Sequence, residues 1–284
     1  MLMKGKLFIV STPIGNMKDI SFRAIDILKE VELILAEDTR HTNKLLANYG
    51  IKRKILSCHE FNESDRIKVV LEYLERGDEI ALVSDAGTPL ISDPGYKLVS
   101  ELRNLGVCIS PVPGPCAFVA ALSASGLPSD QFQFKGFLPS KSSHRKKIYE
   151  DISDYQGTSI FYESVHRIKS SLEDLVSILG DEREIVLAKE LTKQYEFIIK
   201  DTSKNVYKWI LDNPDKVRGE YVILIHGISV CNIINKPNDT SITLLKELIP
   251  YMPLKRAVKI VSNYTSIKKN ALYDMALLLK EENT

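Results

Sequence analysis

Short apolar runs alternate with amphipathic segments from Gly5 to Ser125. Gly5–Val10, Leu33–Ala36, Ile55–Cys58, Glu79–Ser84 and Val107–Val112 are apolar runs of strand length. Between the first two, Ser21–Lys29 sets Phe22, Ile25 and Leu28 at helical spacing behind Ser21, a favourable N-cap. Thr42–Tyr49, Ser64–Arg76 and Tyr96–Leu105 read as helices stopped by Gly50, Gly77 and Gly106, a common place for glycine. Ala117–Ser125 reads as a helix of small residues. This alternation predicts an α/β domain with a mainly parallel sheet over residues 1–124.

The Ser123–Gln133 stretch, rich in Ser, Gly, Pro and Asp, reads as a hinge. Strand signals then dominate at Phe132–Gly136, Thr158–Tyr162, Ile185–Leu191, Glu196–Lys200 and Tyr221–Ile225. Helices intervene at His144–Asp151, His166–Leu179 and Lys204–Leu211. These elements predict a second α/β domain, residues 125–231, with a mixed sheet. Asn232–Thr240 reads as a polar linker within a tail of residues 232–284, and Ser241–Glu282 as three short helices divided near Pro253 and Ser266.

Composition narrows the class without naming a function. The chain has 284 residues, 44% hydrophobic and 26% charged, as a folded globular protein does. No apolar run is long enough to cross a bilayer, and Leu7–Val10 is too short for a signal core. Cys58, Cys108, Cys116 and Cys231 are scattered, without metal-ligand spacing. The expectation is reduced thiols in a cytoplasmic protein, with Cys108 packed as a small apolar residue in a buried strand, and no bound metal. A net charge of +1 leaves nucleic-acid binding to local patches. One candidate patch is Lys135, Lys141, His144, Arg145, Lys146 and Lys147; the other is Lys255, Arg256, Lys259, Lys268 and Lys269. The plain alternative for either is a solvated helix face.

The candidate chemistry lies in two turn-rich loops, Ser84–Gly95 and Pro111–Ala117, each after a predicted strand. Ligands collect beyond the carboxyl ends of parallel strands. Glycine allows close backbone approach and proline stiffens the rim. A phosphate loop of the Gly-x-x-x-x-Gly-Lys type and a Gly-x-Gly-x-x-Gly fingerprint after the first strand are both missing, which lowers the weight of ordinary nucleotide binding.

Ser11-Thr-Pro-Ile-Gly-Asn16, Ala36-Glu-Asp-Thr-Arg40, His59-Glu-Phe-Asn-Glu63, the whole of Ser84–Gly95 and Pro113-Gly-Pro-Cys-Ala117 together resemble the small-subunit ribosomal RNA methyltransferase I family of the tetrapyrrole methylase superfamily. Phe161–Arg167, Ala188–Lys193, Gly219–Ile225 and the Leu254–Tyr273 tail agree, so the resemblance runs through nearly the whole chain. It implies two α/β domains with a cofactor cleft between them and a C-terminal helical segment. It also implies transfer of methyl from S-adenosylmethionine to the 2′-hydroxyl of a cytidine in the 16S rRNA of the small ribosomal subunit, by a homodimer. Two other readings stay open: a methylase of the same fold acting on a tetrapyrrole or a protein residue, and a non-catalytic RNA-binding or assembly factor.

On this resemblance the cofactor pocket is expected to be lined by Pro13, Ala86, Gly87, Thr88, Ile91, Cys116, Ala117, Tyr162, Glu163 and Leu191. Ribose recognition falls to Thr88, Asp85 or backbone groups. Glu37 or Asp85 is the candidate base. Asp38, Arg40, His59, Asn62 and Arg145 are the substrate-side candidates, with Arg40 suited to a phosphate. The plain alternative for Glu37, Asp38 and Arg40 is an ion-pair cluster capping the next helix; for Asp85 it is a turn cap, and for His59 a structural loop histidine.

Overall fold

A computed structural model describes residues 5–228, 239–265 and 267–281. The expected Asn232–Thr240 linker falls almost wholly outside the described residues, as do Cys231 and the Ser266 divide.

The first sheet contains β1 (Lys6–Val10), β2 (Leu33–Ala36), β3 (Lys54–Ser57), β4 (Glu79–Val83) and β5 (Cys108–Val112). They are ordered β3-β2-β4-β1-β5 and are all parallel. Alternate residues face opposite layers, as a strand requires. Val10, Ile34, Ala36, Ala81 and Val83 pack against Ala24, Ile27 and Leu28 of α1 (Phe22–Glu30) and Leu46 of α2 (Thr39–Asn48). Leu7, Leu33, Leu35, Ile80 and Leu82 pack on the other side against α3 (Glu63–Arg76) and α4 (Tyr96–Asn104). Burial on both faces explains why these strands are continuous apolar runs rather than alternating ones.

The second sheet is ordered β6-β7-β10-β8-β9, from β6 (Phe132–Phe137), β7 (Thr158–Ser164), β8 (Glu184–Lys189), β9 (Phe197–Thr202) and β10 (Glu220–Ile225). Only β6 and β7 are parallel, so the sheet is mixed as expected. Phe161, Leu187, Tyr221 and Ile223 face a core with α6 (Ser142–Asp151), α7 (Ile168–Leu179) and α8 (Ser203–Asp212). Truncating one of its aromatics to alanine costs about 3–5 kcal/mol. Ile160, Val186, Ala188, Val222 and Leu224 face Ala121 and Leu122 of α5 (Ala117–Ser125). The helix assigned from sequence to the first domain therefore packs on the second sheet, and the second core begins before residue 125.

The tail forms a third unit. Helices α9 (Asp239–Leu248), α10 (Leu254–Thr265) and α11 (Lys269–Glu281) enclose Leu245, Ala257, Val258, Val261, Ile267, Leu272, Ala276 and Leu279. Among the described residues, no helix is long and apolar enough to cross a membrane.

Two further sequence expectations need correction. Cys108 is exposed, because β5 is an edge strand. Helix α2 starts at Thr39 rather than Thr42, because the Asp38 side chain accepts the Arg40 N–H and caps it there.

Candidate active site between the two sheets

A cleft of 570 Å³ opens where the carboxyl ends of the first sheet meet the second. Its first wall holds Glu37, Asp85, Ala86, Gly87, Thr88, Ile91, Asp93, Cys116 and Ala117; its second holds Tyr162, Glu163, His166, Ala188, Leu191 and Lys193. A wider depression of 780 Å³ around Lys52–Lys54 and Tyr73 lies at the amino ends of the first sheet, away from the strand ends that collect ligands.

Three loops make the first wall, and Thr88 ties them together. Its hydroxyl donates to the Pro115 carbonyl at 3.0 Å and accepts from Ser11 Oγ at 2.9 Å. Thr12 and Gly87 exchange both backbone hydrogen bonds, at 2.8 and 3.0 Å. Gly87 has φ +85°, where a side chain is strained. Gly114 approaches so closely that an added Cβ would lie 2.8 Å from Ser11 Cβ. Thr88, one of three candidates for ribose recognition beside Asp85 and backbone groups, therefore has its hydroxyl committed to joining the loops.

The two walls are fixed to each other. Asn16 N–H donates to Thr192 Oγ1 at 3.1 Å, and Phe118 N–H donates to Tyr162 Oη at 3.1 Å. Leu90 and Ser92 on one wall, and Glu190 and Thr192 beside the other, all hold positive φ. Non-glycine residues adopt that region only where the surroundings impose it, and such strain clusters at functional sites.

Glu37, Asp85 and Asp93 form an anionic corner of the cleft. Burial first, then the neighbouring carboxylates Asp93, Asp85 and Asp38, raises the Glu37 pKa above its ordinary value. Burial, with a smaller contribution from Asp85, pushes Asp93 up to about 6. Asp85 Oδ1 accepts the Asp38 N–H at 3.0 Å, linking this corner to the start of α2. On the facing wall, Lys193 Nζ pairs with Glu190 at 2.9 Å and Glu220 at 2.8 Å. Burial raises the pKa values of the Cys116 thiol and the Tyr162 phenol, so both stay neutral.

The structure brings together both base candidates and nine of the ten expected cofactor-lining residues; Pro13 lies outside the cleft lining. Within that set, the Glu163 carboxylate is turned away from ligand duty. It accepts from Ser164 N–H, from Arg167 Nε and Nη2 and from the Ser171 hydroxyl, and its side chain is fully buried.

None of the expected substrate residues lines the cleft. Asp38 and Arg40 form a 2.8 Å ion pair that caps α2, and this pairing holds the Asp38 carboxyl well below its ordinary range. His59 and Asn62 bond to each other, and Asn62 Oδ1 accepts the His59 N–H at 2.8 Å, closing the turn before α3. Arg145 contradicts its expected role outright. It is 3% exposed, pairs with Asp174 at 2.7 Å and donates to the Pro139 and Ser140 carbonyls.

Sequence reasoning missed Asp93, His166 and Lys193 as cleft residues. Each lies inside a motif already quoted, but a motif does not state which side chains turn inward.

The fold and cleft define a methylase of the tetrapyrrole type. The family model for tetrapyrrole (corrin/porphyrin) methylases matches residues 6–207, and one for the RsmI C-terminal HTH domain matches residues 237–280. A solved cobalt precorrin-4 methyltransferase superposes with TM-score 0.57 at 18% identity, covering 78% of this chain and 94% of its own. A uroporphyrin-III-C-methyltransferase from Thermus thermophilus gives 0.53 at 19% identity, with the same coverage. At that identity the likeness concerns the fold. Sequence relatives are more specific. Ribosomal RNA small subunit methyltransferase I of Vibrio cholerae is 49% identical, over 95% of this chain and 94% of its own. The Haemophilus influenzae protein of that name is 46% identical over 96% of both chains, and the Escherichia coli O157:H7 protein 46% over 96% and 95%. The chain belongs to the ribosomal RNA small subunit methyltransferase I family within the tetrapyrrole methylases.

Proposed function

We propose that the protein transfers methyl from S-adenosylmethionine to the 2′-hydroxyl of a cytidine in 16S rRNA of the small ribosomal subunit. The observation that carries the reading is the two-walled cleft, stiffened by joined loops and bearing three carboxylates at one corner. Its 570 Å³ lies within the range of small-ligand sites. Carboxylates at that corner suit a sulfonium cation and ribose hydroxyls, and the small residues Ala86, Gly87 and Ala117 admit a ligand to the backbone. Ile91, Tyr162 and Leu191 provide apolar cover.

S-Adenosylmethionine bound there would supply a methyl group on a sulfonium, whose displacement leaves a neutral thioether. The chain's own contribution is alignment and proton acceptance. Fixed loops on both walls would keep the two bound reactants aligned, and such alignment supplies much of a displacement's rate. Glu37 is assigned as the proton acceptor from the ribose hydroxyl, with Asp85 and Asp93 beside it. A carboxylate whose pKa is raised by burial holds a proton better at neutral pH than an ordinary one.

The reading carries with it a homodimer working in the cytoplasm, testable by sedimentation of the purified protein. The test of function is labelled S-adenosylmethionine with small subunits from cells lacking the modification. Label on a cytidine 2′-oxygen is expected. Label on a base or on protein, or a bound tetrapyrrole that accepts label, would overturn the reading, and no labelling at all would favour the non-catalytic one.

A further inference from the structure

The cations of the C-terminal unit are not distributed like those elsewhere. Between Glu247 and Asp274 the chain has no carboxylate but carries Lys255, Arg256, Lys259, Lys268 and Lys269. The whole chain is +1: residues 232–284 carry a net +3 and residues 1–231 a net −2. The part holding the cleft therefore repels a polyanion overall, and the tail attracts one.

Packing sets where these cations point. Ala257, Val258 and Val261 turn α10 into the three-helix core, which leaves Lys255, Arg256 and Lys259 exposed on its outer side. Asn263 and Tyr264 continue that outer side, and Tyr264 is 77% exposed. Lys268 and Lys269 lie exposed just beyond the far end of α10. No acidic side chain pairs with any of the five cations among the described residues. Helix α10 has 12 residues and is about 18 Å long, with Lys255, Arg256 and Lys259 in its first half and Lys268 and Lys269 beyond its other end. Lys and Arg contact phosphate, while Asn and Tyr suit base edges and stacking.

We infer that the outer face of α10 and the start of α11 form a docking surface for the phosphate backbone of the RNA substrate, separate from the cleft. The surface supplies affinity rather than chemistry, since it lines no part of the cleft. It rests on the rRNA reading for the partner's identity, but its test needs no methyl transfer.

The probe is a protein-free small-subunit rRNA transcript bound to the full chain at several salt concentrations. Each lost phosphate contact lowers the salt slope by about 0.7–0.9. The triple variant K255E/R256E/K259E is expected to bind at least about tenfold more weakly, with a slope shallower by about 2–3. Affinity for S-adenosylhomocysteine, measured by calorimetry, is expected to stay within about twofold, because those residues are remote from the cleft lining. K268Q/K269Q is expected to give a smaller loss in the same direction, and it guards against a folding defect in the triple variant. Unchanged transcript affinity and slope in both variants would overturn the inference. So would a loss seen only with assembled subunits, which would place a ribosomal protein on this face.

Discussion

Glu63, the first residue of α3, closes the amino end of α4. Its Oε1 accepts the Gly95 N–H at 3.0 Å, and its Oε2 accepts the Lys97 and Leu98 N–H groups at 2.9 and 3.2 Å. The carboxylate is 3% exposed and sits where helix N–H groups otherwise lack partners. It therefore anchors the exit of the Ser84–Gly95 loop to a different helix. Glu63→Ala should cost about 2–3 kcal/mol in chemical denaturation, since hydrogen bonds to a charged acceptor are lost and buried donors remain. S-Adenosylhomocysteine should also bind more weakly; full cofactor affinity would show that the loop holds itself.

Gly87 makes the second case for backbone control. A side chain at φ +85° is expected to cost about 1–2 kcal/mol. Gly87→Ala should lower cofactor affinity by about tenfold, while the melting temperature moves by only a few degrees. Calorimetry with S-adenosylhomocysteine reads the first quantity and thermal denaturation the second. A large melting shift with unchanged affinity would reassign Gly87 to folding alone.

Glu37 and Asp93 separate by kinetics and by pH. Glu37→Gln should lower kcat by about 10²–10⁴ while cofactor affinity changes little, as loss of a general base does. A fall in affinity with kcat preserved would remove Glu37 from proton acceptance.

Asp93 gives a sign that can be worked out. Its pKa rises from an ordinary 3.8 to about 6 on folding, so the folded state holds the proton more tightly than the unfolded chain. The stability this contributes is present at low pH and is lost as pH climbs from about 4 to 6. Asp93→Asn should therefore gain on the parent protein across that window and run parallel to it above. Denaturation midpoints from pH 4 to 8 measure this; a gap that narrows as pH rises would contradict the burial of Asp93.

Arg145 tests the opposite expectation. Removing one member of a buried ion pair leaves the other without compensation and costs about 3–5 kcal/mol. Arg145→Ala should lose that much stability, yet bind rRNA transcript like the parent under conditions where both are folded. A selective loss of RNA affinity would restore the role expected from its basic neighbours.

Much of the fold was legible because its strands are buried on both faces. Leu33–Ala36 is apolar at every position, and the structure places a strand at those four residues. Glycines after Tyr49, Arg76 and Leu105 likewise marked helix ends correctly within a residue or so. Strand order is another matter. Cys108 looked buried because its strand is apolar, and only the edge position of β5, set by pairing with β1, exposes it. The site followed the same divide. The loops were readable from Gly and Pro. The inward turn of Asp93 follows a stretch with positive φ at Leu90 and Ser92, which non-glycine residues do not announce. Arg145 sat in a run of cations, and its partner Asp174 lies in another helix. Thr88 was legible as a cleft residue but not as the tie between three loops.

Leu90, Ser92, Glu190 and Thr192 have a practical consequence. A glycine at any of them would relieve left-handed strain, but it would also loosen the unfolded chain, so the net gain is at most about 1 kcal/mol each. All four flank the cleft and its interdomain tie. Screens that select only for heat resistance will therefore find attractive changes at the walls of the cleft, where rigidity of shape is needed for turnover. Thermostable variants of this enzyme are better sought in the α10–α11 unit or on the outer helices, with these four residues held fixed.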